Sequence, residues 1–284
     1  MDIPVKQSYK RLLQIVSVMA AALVVIGLVA GIGYFLILKK PTTPKGEQVG
    51  KRPTAGTSKV PLNPYDPEDF VYKDQYMSCL GTDYMLGVDV STYQKNINWK
   101  KVAESGIEFV IIRAGYRGYG QAGTLNEDEW AQRHYKGARA AGLKVGAYFF
   151  SQAINPEEAR EEARYLMQLT KDWVLEMPLI FDWEYISWVD TARTTGMTAD
   201  EVIACTRAFC EEVEEAGKWP MIYFNANQAK SSKYLEELVQ YDKWLAMYSD
   251  VMDFPYAVNM WQYTSTGKVP GISSRADINI WLFD

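Results

Sequence analysis

The chain holds 284 residues, 48% hydrophobic and 13% aromatic, which is material for one domain of ordinary size plus an appendage. Its net charge of −5 is unevenly spread: residues 1–60 carry nine Lys/Arg against two Asp/Glu, so the remaining body is acidic, which argues against nucleic acid as a partner. A single histidine, His134, leaves no material for a Ser-His-Asp relay or an imidazole-rich zinc site, so acid–base chemistry falls to carboxylates, tyrosines or lysines, with no metal or other cofactor called for.

Residues 1–14 read as a short cytoplasmic N-terminus. Ile15 to Leu38 is free of charge over 24 residues, long enough at about 1.5 Å per residue to cross a hydrocarbon core of about 30 Å. A cleaved signal peptide has a shorter apolar core and a small-residue cleavage site, so the run reads as a retained single-pass anchor with the C-terminal domain outside the cell membrane. The lysines that follow it, Lys39 and Lys40 first, run against that orientation on a simple positive-inside count. Residues 39–82 read as a Pro/Thr/Gly/Lys-rich linker followed by a lead-in segment from about residue 65, and residues 83–284 as the functional domain.

From Met85 onward strands and helices alternate. Strands are predicted at Met85–Val90, Phe109–Arg113, Val145–Phe150, Pro178–Trp183, Met221–Asn225, Lys243–Tyr248, Ala257–Tyr263 and Asp277–Phe283. Helices are predicted from Asn98 to Gly106, from Glu127 to Ala141, after the cap Asn155-Pro156, from the capping box Thr198-Ala199-Asp200-Glu201 to Gly217, and over Ser231–Val239. The last two gaps between strands are too short for a crossover helix. Five strand–helix units followed by three loop-joined strands give an α/β fold, an irregular TIM-like barrel preceded by one transmembrane helix. Cys205 and Cys210 sit about 7.5 Å apart in axial rise on one helix, beyond bridging distance, and the three cysteines read as buried thiols.

The most informative segment is Pro178-Leu179-Ile180-Phe181-Asp182-Trp183-Glu184, an apolar strand ending in two acids one residue apart. Alternation places Asp182 and Glu184 on the same face. Two neighbouring acids at the mouth of a buried strand are costly, and such costs concentrate where chemistry requires them. Asp89 and Asp277 also fall at strand ends, Asp277 at the start of the last strand, which in a closed barrel neighbours the first. Aromatics crowd the same rim: Tyr93, Tyr116, Tyr148, Trp183, Tyr185, Trp188, Tyr223, Tyr248, Trp261 and Tyr263. Such rings suit the apolar faces of sugars.

Three groups of residues resemble glycoside hydrolase family 25, the Chalaropsis-type lysozymes or N-acetylmuramidases. They are Gly87-Val88-Asp89-Val90-Ser91, Phe181-Asp182-Trp183-Glu184, and Met260-Trp261-Gln262-Tyr263-Thr264 with Val269-Pro270-Gly271-Ile272 and Asp277-Ile278-Asn279. The resemblance runs from about Met85 to Asp284. It implies hydrolysis of the β-1,4 bond between N-acetylmuramic acid and N-acetylglucosamine in peptidoglycan, with Glu184 as general acid. Asp182 would assist the substrate's acetamido group, with Asp89 and Asp277 as supporting carboxylates. Tyr148, Tyr223 and Trp261 match cleft positions, and Tyr93, Tyr116 and Gln262 complete the expected binding set. Strand spacing of about 6.6 Å between i and i+2 is loose for a carboxylate nucleophile, which directs attention to the substrate's own acetamido oxygen. The expected partner is the glycan strand of peptidoglycan, acted on in cell-wall remodelling. The rival readings are a catalytically inactive, membrane-tethered glycan-binding module and an unrelated TIM-barrel enzyme.

Overall fold

The computed structural model describes residues 59–230 and 232–283. The N-terminal segment 1–14, the anchor read at 15–38 and the linker up to residue 58 lie outside the described residues. Among the described residues no helix is long and apolar enough to cross a membrane.

The apolar runs form strands and the amphipathic runs form helices, in the expected order. A hairpin of β1 (Phe70–Lys73) and β2 (Tyr76–Cys79) precedes β3 (Tyr84–Val90), α1 (Trp99–Glu104), β4 (Phe109–Arg117), β5 (Leu125–Glu127) and α2 (Ala131–Ala140). There follow β6 (Lys144–Ser151), α3 (Pro156–Leu169), β7 (Leu179–Trp183), α4 (Ala199–Glu215), β8 (Pro220–Asn225), α5 (Ser232–Glu237), β9 (Asp242–Ala246), β10 (Met260–Gly267) and β11 (Ala276–Leu282). The local signals work as read: the Asn155 side chain accepts from the Glu158 amide, and Thr198 and Glu201 close a capping box.

Eight strands close a barrel in the order β3-β11-β10-β9-β8-β7-β6-β4, with β3 pairing back to β4. Seven of them run parallel, and β11 is antiparallel to both neighbours. This reversal matters for the site, because the beginning of β11 lies at the end of the barrel where the parallel strands finish. Asp277 is accordingly the register partner of Asp89. Inside the barrel, Met85, Phe109, Ile180, Met221 and Met260 form a floor, and the larger cluster lies outside, between strands and helices. Gly87 admits the Phe109 ring, which would sit 2.3 Å from any Cβ placed there.

Two differences from the sequence reading have clear causes. The helix expected to begin at Glu127 begins at Ala131. Glu127 instead ends β5, which pairs antiparallel with the far end of β4, and the Asp128 carboxylate accepts from the Trp130 amide. Second, the end of the segment read as linker and the lead-in after it are folded against the barrel, with Val60 and Asn63 of the former and Phe70 of the latter buried. Among the described residues no helix covers the outside of β10, and the hairpin takes its place: Phe70 meets Trp261 edge-on at 5.4 Å, and the Met77 amide donates to the Tyr263 hydroxyl at 3.3 Å. Upstream, the Asn63 amide donates to the Pro255 carbonyl, tying the segment to the helix-free β9–β10 crossover.

Candidate active site

A cleft of about 850 Å³ opens at the C-terminal ends of the parallel strands. Its lining includes Asp89, Asp182, Glu184 and Asp277, together with Tyr93, Tyr116, Tyr148, Tyr223 and Gln262. Strand alternation explains the pairing on β7. Ile180 and Asp182 face inward, while Phe181 packs on Phe209 outside and the Trp183 indole donates to the Ala153 carbonyl. Glu184 follows the strand on the inward side. Its backbone carbonyl accepts from Gln152 Nε2 at 3.0 Å, and Thr194 Oγ1 in turn donates to Gln152 Oε1.

The four carboxyls occupy different environments. Asp89 Oδ2 accepts from Gln262 Nε2 at 2.8 Å and Asn279 Nδ2 at 2.9 Å. Gln262 Oε1 accepts from the hydroxyls of Tyr248 and Tyr223, and Asn279 Oδ1 accepts from the Trp244 indole. Burial pushes Asp89 up to about 6 against these two hydrogen bonds. Asp182 is buried, and its Oδ1 has no hydrogen-bond partner among the described residues. Burial, then the charges of Glu184 and Asp89, hold Asp182 well above the usual carboxylate range, with Arg113 opposing. Burial and then Asp89 raise Glu184. Asp277 is pushed up to about 8, first by burial and then by Asp89. Asp89 is thus the charge that acts on Glu184, and Glu184 acts on Asp182.

Trp261 is not a cleft residue. Gln262 points inward to Asp89, so its neighbour Trp261 points outward, where it is fully buried against Phe70 and donates to the Met247 carbonyl. The indole that reaches the cleft from inside the barrel is Trp244, which the Tyr223 ring meets edge-on at 4.8 Å. Of the other rim aromatics, Trp188 and Tyr248 line the cleft and are exposed, while Trp183 and Tyr263 are buried elsewhere. The Tyr185 hydroxyl is occupied by the Met197 carbonyl. His134 is buried, its Nε2 within 3.1 Å of the Ser91 carbonyl, and the three cysteines are buried and unpaired.

Arg113 and Asp128 also line the cleft, and the sequence reading missed both. The only available signal was an arginine ending an apolar strand. The β4–β6 register shifts between Arg113 and Gly115, and this irregularity places Arg113 and Tyr116, three residues apart, on one lining. No group of His, Cys, Asp and Glu among the described residues has the arrangement of a metal site. The arrangement can donate a proton from a raised carboxyl, accept a hydrogen bond at Asp182 and stack rings on a sugar.

A sequence model described as Glycosyl hydrolases family 25 matches residues 88–272. The chain is 28% identical over 199 residues to an autolytic lysozyme of Clostridium acetobutylicum, covering 69% of this chain and 55% of that protein. It is 26% identical over 218 residues to lysozyme M1 of Streptomyces globisporus, covering 70% and 68%. Among solved structures, it resembles the modular autolysin LytC from Streptococcus pneumoniae, determined in complex with a synthetic peptidoglycan ligand. There the TM-score is 0.63 and the identity 23%, over 75% of this chain and 52% of that one. A lysozyme from Aspergillus fumigatus matches with TM-score 0.57 and 24% identity, over 71% and 95%. These structural likenesses establish the barrel architecture. The chain spans about half the length of the Clostridium and pneumococcal proteins.

Proposed function

The chain belongs to glycosyl hydrolases family 25, and from that membership we propose that it is a peptidoglycan muramidase. It cleaves the β-1,4 bond between N-acetylmuramic acid and N-acetylglucosamine. The observation that carries this reading is the buried Asp182 carboxyl with an unpartnered Oδ1, beside a raised Glu184 in a cleft lined with aromatics. A buried acceptor without a donor is costly, and the acetamido N–H of a bound amino sugar supplies the missing hydrogen bond. As the acetamido oxygen attacks the anomeric carbon, positive charge develops on its nitrogen; that charge favours the ionised form of the raised Asp182 carboxyl beside it, which stabilises it in turn. Glu184, whose carboxyl is raised by burial and then by Asp89, gives its proton to the leaving oxygen and then takes one from the incoming water. Asp89 and Asp277 set the local charge, and Tyr148, Tyr223, the half-buried Tyr116 and the exposed Tyr93 and Trp188 hold the sugars.

The chain acts in this reading on the wall outside the membrane, in wall remodelling, anchored through residues 15–38. That placement is supported by the charge-free run alone, and its check is whether the full-length protein stays with membranes after alkaline extraction. Activity is checked by a zymogram with peptidoglycan in the gel and mass spectrometry of the released sugars. Clearing with reducing muramic ends is expected, whereas retention without clearing would establish the binding module instead. Glu184→Gln is expected to lose about 10²–10⁴ in rate with an unchanged melting temperature, and near wild-type cleavage would remove Glu184 from its assignment. NMR of the first-formed anomer is expected to show retention; inversion would rule out attack by the acetamido group.

A further inference from the structure

Seven acidic residues but only two cationic ones, Arg113 and Arg117, line the cleft. Arg117 is fully committed elsewhere: Nε and Nη2 meet Glu162 and Glu161, Nη2 also reaches the Glu158 carbonyl, and Nη1 donates to the Gly123 carbonyl. Arg113 is different. Its Nε and Nη2 both reach Asp128 Oδ2 at 2.8 Å, and Nη1 makes no hydrogen bond among the described residues. Asp128 is itself fixed by the amides of Thr92 and Trp130. The guanidinium carbon lies 5.4 Å from the Tyr93 ring centre and 5.3 Å from that of Tyr116, so both rings brace the group. With 12% of the side chain exposed, one donor edge of a fixed guanidinium remains open to the cleft.

Its position identifies what that edge meets. Arg113 is the register neighbour of Tyr148, and its charge is felt at Asp182. If Asp182 takes the 2-acetamido group of the sugar, the next substituent round the ring is the one on C3. In N-acetylmuramic acid that is the lactyl ether, which ends in an acyl group bearing an exposed oxygen. In N-acetylglucosamine it is a hydroxyl. Resting on the muramidase reading, we propose that Arg113 is the residue that selects muramic acid, its Nη1–H donating to the acyl oxygen of the 3-O-lactyl group. A guanidinium held in place by Asp128 and two rings loses little freedom on binding, so the contact discriminates rather than merely attracts.

The test compares two disaccharides that differ by the lactyl group: N-acetylglucosaminyl-N-acetylmuramic acid and N,N′-diacetylchitobiose. Binding is measured by calorimetry to protein carrying Glu184→Gln, which prevents turnover. The preference for the muramic disaccharide is expected to be about 10–100-fold, the size of a charge-assisted hydrogen bond, and to fall to about one when Arg113→Met is added. Arg113→Lys is expected to restore part of it. The same direction is expected when the lactyl group carries an alanyl amide, because the carbonyl oxygen remains. A preference that survives Arg113→Met, a loss that falls equally on both disaccharides, or an Arg113 dependence absent from the amide overturns the assignment. Peptidoglycan cleavage by the wild type alongside such a result leaves the muramidase reading standing; absence of cleavage removes both.

Discussion

Asp277 shows how far one residue's behaviour depends on its surroundings. With an ordinary value of 3.8 raised to about 8, its carboxyl favours folding fully only at pH values below about 4, and that contribution is lost as pH rises through 8. Asp277→Asn should therefore melt above the wild type at pH 9, by roughly 2–4 °C for each kcal/mol relieved, and close to it at pH 4. An equal difference at both pH values would mean that the carboxyl is not strained in the folded state. Asp182 and Glu184 were legible in the chain because a period of two puts them on one face. That Asp277 could face Asp89 followed from closure of the barrel, which makes first and last strands neighbours; why the start of β11 lies there was not legible, since nothing local says that β11 runs backwards. Trp261 was misplaced for a related reason: its face is decided by Gln262 reaching Asp89 across 173 positions of sequence.

The elements whose ends carry their own chemistry formed where expected. Thr198 accepts from the Glu201 amide while the Glu201 carboxylate accepts from the Thr198 amide. Thr198→Ala should cost about 1 kcal/mol of unfolding free energy in urea titration, with no change in cleavage rate. The β1–β2 hairpin carried no such signal. Its four-residue strands are held to the barrel by Phe70, which is buried against Trp261 and Tyr65. Phe70→Ala should cost about 3–5 kcal/mol, as for other buried aromatic truncations; a cost under 1 kcal/mol would show that the hairpin does not support the barrel. Helix α2 starts four residues later than read, because β4 recruits residues 125–127 as a strand partner before the helix can begin.

For the molecule as a whole, the barrel is complete only with the segment that precedes β3. A chain beginning at residue 59 keeps that segment. One beginning at residue 83 exposes Trp261 and Tyr263, and should melt lower and bind a hydrophobic dye. Equal melting of the two would show that the barrel needs no cover on that side. The same layout accounts for the absence of helices between β9 and β11: the outside of β10 is covered from the N-terminal side instead.

Local pattern was enough for eight strands, five helices, their caps, and two acids facing one way at a strand's end. These follow from periods of two and 3.6 residues and from hydrogen bonds within a turn, all readable over a few positions. Contacts between distant residues settled the rest. Asp89 meets Asn279 across 190 positions, β11 reverses between two strands that do not, and a register shift in β4 after Arg113 turns Tyr116 toward the cleft beside it. Burial then raises all four carboxyls, since desolvation is a property of the assembled enclosure and of no segment within it.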